Sequence, residues 1–306
     1  MASLKNIKQK IRSYKKTGTV TKAMQAVSAV KMRKSQERAL SGRSYAAAAL
    51  SILERLSGTN DAGRHELMQK RQGKTCMVIV TSDKGLAGSL NSAVVRQAER
   101  EIASRKLAKN DLVIIAVGRR GGDYFASRGY DVRVKHENVA DGVSEEELKM
   151  VTDKILEWHA SAQVANCFIV YTNFISTFEQ EAILRQLVPI TPESIAFMVA
   201  GIRPAKGKYA PAKGTNDAIK PAAYTIEPDA ESVLEMLLPK LLNIAVFHAL
   251  LESKASEHSA RMVAMKSATD KAVDMAKAFT RTFNKVRQAA ITREVSEITS
   301  GIEAMK

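Results

Sequence analysis

The chain has 306 residues, 45% hydrophobic but only 5% aromatic, and carries a formal net charge of +15. That length suits one large domain or two ordinary ones, and the scarcity of aromatics beside many Ala, Met, Lys and Gln favours long helices over a thick globular core. No run of about 18 uncharged apolar residues occurs, so no membrane span is expected, and Cys76 and Cys167 lack the CxxC spacing of a metal or redox pair.

The charge is unevenly placed. Residues 1–60 carry 13 Lys/Arg against 2 Asp/Glu, residues 61–239 carry 23 of each, and residues 240–306 carry 11 against 7. The basic charge belongs to the two ends and the middle is neutral. The two cysteines sit in apolar runs and read as buried, reduced thiols. The basic start "MASLKNIKQKIRSYKK" is followed by no apolar stretch of about 7–15 residues, so it is not read as a secretory signal.

In chain order, Leu4, Ile7, Ile11 and Tyr14 form a helical seam. The seam slips phase near Gly18 and resumes at Val20, Met24 and Val27. The helix is expected to begin at an N-cap Ser3 and to persist to about Leu56, ahead of the turn residues "SGTND". The middle then alternates. "TCMVIVTS" and "DLVIIAVG" read as buried strands, "SLNSAVVRQAEREIASRKL" as a helix between them, and "GGDYFASRG" as a helix before the strand "YDVRVKH". "SEEELKMVTDKILEWHASA" is a helix opened by a capping box from Ser144 to Glu147. "NCFIVYTNF" is another buried strand, and "EQEAILRQLVPI" and "YTIEP" look like later strands around the Pro/Lys/Gly-rich loop at 201–222. Such alternation argues for an α/β layer with a mostly parallel, Rossmann-like sheet.

All seven prolines lie between Pro189 and Pro239, which frees both ends to be long helices. From Leu241, a strict 3-4 spacing through Ile244, His248, Leu251 and on to Phe279, Phe283, Val286 and Ala290 marks a coiled-coil seam. His248 and His258 fall on it, where polar residues set register. One helix cannot bury its own stripe. Two terminal helices can bury each other, and a compact domain between them makes them antiparallel. The expected organisation is an N-terminal coiled-coil helix at 1–58, an α/β domain at 59–230 and a C-terminal coiled-coil helix at 231–306.

The turn "TSDKGLAGSLN" follows a strand and precedes a helix, as a phosphate-binding loop does. It lacks the GxxxxGK[ST] order, since Lys84 precedes Gly85 and Gly88, and it lacks GxGxxG. "GRRGGDY" at 118–124 is a second such turn without a motif. Asp83 suits a cap better than a lone catalytic carboxylate. His65, His136 and His159 have no metal-ligand spacing. The basic cluster "KMRKSQERALSGR" at 31–43 fits a solvated helix face, a nucleic-acid contact without aromatic interleaving, or docking on an acidic protein. A nucleotide-binding α/β enzyme and a basic nucleic-acid-binding coiled coil therefore stand as alternatives.

Three stretches together resemble the gamma subunit of the F-type ATP synthase: "IKQKIRSYKKTGTVTKAMQAVSAVKMRKSQ", "TSDKGLAGSLN" and "NKVRQAAITREVSEITSGIEA", in that order and at the corresponding ends. The resemblance covers essentially the whole chain. It implies a non-catalytic rotor without a cofactor or metal. Its terminal helices would enter a ring of three alpha and three beta subunits, and its α/β domain would lie near the epsilon subunit and the membrane c-ring. It places Met24, Lys31, Arg33 and Lys34 against acidic beta-subunit loops, and Arg287, Gln288, Thr292 and Glu294 at the ring's inner collar. The absence of a clear transit peptide points to the cytoplasmic face of a bacterial membrane. The regulatory cysteine pair of chloroplast forms is missing, so disulfide control is not expected.

Overall fold

The computed structural model describes residues 4–41, 65–191 and 229–305. The expected N-cap at Ser3, the helix beyond Ser41 to Leu56, the "YTIEP" strand and the 201–222 loop lie outside them. Ten principal elements are described: α1 (Leu4–Ser41), β1 (Lys74–Val80), α2 (Leu90–Ser104), β2 (Leu112–Val117), α3 (Arg119–Ser127), β3 (Asp131–His136), α4 (Glu145–Ala160), β4 (Val164–Phe174), β5 (Gln180–Val188) and, last, the 75-residue α5 (Ala230–Ala304), together with short 3-10 turns.

The five strands form one sheet in the order β3-β2-β1-β4-β5. The first four are mutually parallel and β5 runs antiparallel to β4 at the edge. The central strands read as unbroken apolar runs because both faces are covered. On one face Met77, Ile79, Ile114, Ala116 and Val170 pack with Val94, Ala98 and Ile102 of α2 and Phe125 of α3. On the other, Val78, Val80, Val113, Ile115, Ile169 and Tyr171 pack with Val151, Ile155 and Trp158 of α4 and with Leu234, Leu238, Leu242, Val246 and Leu250 of α5. Cys76 and Cys167 are in-register neighbours on β1 and β4, free and buried. Burial pushes the Cys167 thiol well above its usual pKa, so it stays protonated.

The capping box forms as expected: Ser144 Oγ accepts from Glu147 N at 3.2 Å and Glu147 Oε2 accepts from Ser144 N at 2.7 Å. α5 starts at Ala230, about three helical turns before the seam read from Leu241, and carries Pro239 inside it. Pro removes one N–H and crowds the carbonyl four residues back, and burial of the adjacent Leu238, Leu241 and Leu242 offsets that cost. One window of α5 is apolar enough by length and composition to cross a membrane. In this fold its leucines lie in the core shared with the sheet.

The chain divides into two compact units, Met1–Ala29 with Arg261–Lys306, and Val30–Ala260. In the first unit the helices are antiparallel. Tyr14 stacks on Phe279 at 5.5 Å between ring centroids, and Thr21 Oγ1 meets Thr269 Oγ1 at 2.6 Å, so partners ascend on α1 as they descend on α5. The seam corrects one expectation. It does not slip at Gly18 but continues in step through Gly18, Thr21 and Ser28, all buried. Val20 and Val27 are each more than half exposed. The buried stripe here consists of small and polar residues, which let the two backbones approach closely, and the valines lie on another face.

Candidate functional site

Three places could carry function: the strand-end crevice of the sheet, the coiled-coil surface, and the loop that follows β3.

In a doubly wound sheet a ligand ordinarily sits outside the carboxyl ends of the strands. Here that end is built as a closed turn. Thr81 N donates to Val117 O, Ser82 N to Asn91 Oδ1, Arg120 N to Ser82 O and Gly121 N to Thr81 Oγ1, at 2.8 to 3.2 Å. Asp83 caps two segments, accepting from Arg119 N and Asn138 N at 3.0 Å each. Gly118 has φ +92 and is backed by the Thr81 carbonyl, with no room for a side chain. Above the turn, Leu250, Ser253, Lys254 and Glu257 of α5 close over Val80, Thr81, Val117 and Val139 and leave a cavity of about 10 Å³. One water molecule would barely fit. The backbone amides of "GRRGG", and those of Thr81 and Ser82 in "TSDKG", already serve the protein's own oxygens.

His159 is likewise structural, with Nδ1 3.1 Å from Val164 O and Nε2 3.1 Å from Glu66 O. No cluster of three or more His, Cys, Asp or Glu suited to a metal occurs among the described residues.

On the coiled coil, a groove of about 930 Å³ runs where the seam is thin. Tyr14, Gly18 and Ala276 line it, with Lys15, Lys22, Lys266, Lys277 and Arg281 around its rim and Asp270 among them. Basic charge around a groove attracts acidic protein surfaces. Met24 is half-buried beside this groove's residues, whereas Arg33 and Lys34 are exposed on α1 in the other unit. Arg287, Gln288, Thr292 and Glu294 are exposed on the last turns of α5. Thr292 Oγ1 donates back to Gln288 O at 3.0 Å. Among them Ile291, Val295, Ile298 and Ile302 recur at helical spacing, each more than half exposed. A bare apolar stripe of this kind marks a docking face. The 4-3-4 spacing of these four is legible in the sequence.

Lys31 is exposed but engaged: its Nζ lies 2.8 Å from Asp141 Oδ2. Asp141 Oδ1 lies 2.7 Å from His258 Nε2 of α5. Burial alone would raise the Asp141 pKa, but hydrogen bonds from Lys31 and His258, and their charges, outweigh it and bring the carboxyl down to about 2. Nothing in the sequence marked Asp141, which reads there as an ordinary Asp-Gly turn.

With this geometry in view, the similarities are specific. The ATP synthase family model matches residues 3–305. The ATP synthase gamma chain of Geotalea daltonii is 38% identical and that of Pelotomaculum thermopropionicum 34%, each over the full length of both chains. Among solved structures, a chain of the Euglena gracilis mitochondrial ATP synthase OSCP/F1/c-ring assembly shares the fold at TM-score 0.63 and 17% identity, covering 99% of this chain and 94% of that one. A chain of the Tetrahymena thermophila mitochondrial ATP synthase central stalk/c-ring does so at 0.57 and 23%, covering 81% and 99%. Two long helices around a mostly parallel five-stranded sheet, matched over nearly every residue, place this chain in the ATP synthase gamma chain family.

Proposed function

We propose that this chain is the central-stalk rotor subunit of a proton-translocating F-type ATP synthase and catalyses nothing itself. It would transmit rotation of a membrane c-ring to catalytic sites in a ring of three alpha and three beta subunits. The observation that carries this reading is α5. The same helix closes the strand-end crevice of the sheet, forms one strand of the coiled coil and ends in an uncovered apolar stripe. An α/β layer whose crevice is filled by its own helix works as a base for that helix.

The docking faces follow from the same reading. Met24, Lys31, Arg33 and Lys34 would face acidic beta-subunit loops, drawn by charge. Arg287, Gln288, Thr292 and Glu294 flank the stripe Ile291–Ile302, which would sit in the collar of the ring. The α/β layer would lie toward the epsilon subunit and the c-ring. Full-length bacterial relatives fit a peripheral subunit on the cytoplasmic face of the cell membrane. The division into 1–58, 59–230 and 231–306 belongs to this proposal too.

Copurification tests it. A tagged chain expressed beside its alpha and beta partners should return a complex of three, three and one with ATPase activity. Recovery of the chain alone, with the two larger subunits assembling and hydrolysing ATP at the full rate without it, would refute the reading.

A further inference from the structure

We propose that Asp141 is a torque pin, the residue that carries the drive of the α/β sheet to α1, beside the sheet's broad hold on α5. The inference rests on the rotor reading and adds the load path within this subunit.

A base that turns two helices must hold both against shear. The hold on α5 is broad. Leu234, Leu238, Leu242, Val246 and Leu250 are buried against the sheet, Ser256 Oγ donates to Thr172 O at 3.2 Å, and Ser259 Oγ donates to Thr177 O at 2.7 Å. No single residue decides that attachment. The hold on residues 30–38 of α1 is narrow. Only Met32 and Ser35 are buried there. The polar contacts described for this stretch converge on one turn: Lys31 to the Asp141 carboxylate, Ser35 Oγ to Asp141 O at 3.5 Å, and the Arg38 guanidinium lying over Gly142. Asp141 also takes His258 of α5, so a single carboxylate ties one residue from each long helix.

The turn is built to be stiff. Glu147 at the start of α4 accepts from Ala140 N and Ser144 N at 2.7 Å each, which clamps the segment on both sides of Asp141. Val143 N donates to Ala140 O at 3.0 Å. Asn138 N is held by Asp83 at the strand-end turn. Val143 has φ +47, a conformation a β-branched residue adopts only where its surroundings impose it. A carboxylate on a mobile loop would follow the helices, whereas one on a clamped turn can push them. The charged groups around it are Lys31 and His258, which bind it directly, with Arg38 at Gly142.

Asp141 touches no substrate. Its replacement should therefore spare chemistry and weaken transmission. The test uses the complete membrane-reconstituted complex carrying Asp141→Ala, Asp141→Asn or Asp141→Glu. Two rates are read: ATP hydrolysis with the proton gradient collapsed by an uncoupler, and ATP-driven proton pumping against a gradient. Hydrolysis without load should stay within about twofold of wild type. Protons pumped per ATP near the limiting gradient should fall severalfold in Asp141→Ala, less in Asp141→Asn, which keeps shape and an acceptor, and least in Asp141→Glu, which keeps the charge. Equal pumping per ATP in all variants overturns the proposal. So does a proportional loss of both rates, which marks a residue needed only for folding or assembly. Failure of the rotor reading itself is separate, since the wild-type chain would then neither assemble with the ring nor support pumping.

Discussion

Asp141 joins two helices by charge, and that attachment has a definite pH window. Its folded pKa, about 2, lies below the usual carboxylate value of 3.8. A depressed acid contributes stability that is present above its unfolded pKa and lost as pH falls through the folded one. The stability difference between wild type and Asp141→Asn should therefore reach its acid-side plateau at about pH 5 and be lost progressively between about pH 5 and pH 1. About a third of the carboxylate is in solvent, so the plateau should be only about 1 kcal/mol. Denaturant melts at a series of pH values measure it, and a difference that is undiminished at pH 2 would show that the two ion contacts are not its source. Gly118→Ala should cost more than about 2 kcal/mol, because the new methyl would meet the Thr81 carbonyl at a positive φ. A thermal melt within a degree of wild type would contradict the closed-turn geometry. Arg33→Glu with Lys34→Glu should leave the helix intact, Glu being a good helix former, yet lower coupling of hydrolysis to pumping through repulsion from acidic loops. Full coupling in that variant would make the pair a solvated face. Lys31 is kept out of this test because reversing it would also set two carboxylates against each other at Asp141.

At the scale of elements, Gly18 shows how the helices meet. A Cβ placed there would stand 3.6 Å from Ala272 Cβ, an ordinary contact. Gly18→Ala should therefore stabilise the chain by about 0.5–1 kcal/mol through helix propensity alone. A lowered melting temperature would mean that the seam is tighter than this. The same position explains what could be read in advance. The parallel strands, the Ser144 capping box and the seam of α5 from Leu241 to Ala290 were legible because each obeys a local period or cap. The middle of α1 was not. Hydrophobic periodicity follows the large apolar residues, and Val20 and Val27 drew the seam to the wrong face, whereas its true line through Gly18, Thr21 and Ser28 is small and polar. Such a line is recognisable only once Ala272 and Thr269 are seen opposite it. The Asp141 contacts were hidden for a related reason. Their partners are separated by more than 100 residues in each direction, and no local spacing records that. The docking residues proposed at both ends came from the resemblance, and the helix surface adds Ile291, Val295, Ile298 and Ile302 to them.

For the whole molecule, α5 fills the crevice of the sheet in one unit and packs antiparallel to α1 in the other. The central claim is that this chain turns as a body inside a ring of other subunits. Cys76 and Cys167 are buried and free, so a single introduced thiol can be labelled selectively. Met150 on α4 is more than half exposed and serves as the site. The measurement fixes the alpha/beta ring to a surface, attaches a visible probe to Met150→Cys and supplies Mg-ATP. The probe should rotate continuously in one direction, at a rate that follows ATP concentration until load limits it, and should stop when a reducible cross-link joins the chain to the ring. A probe that stays still while the same complexes hydrolyse ATP would contradict the account.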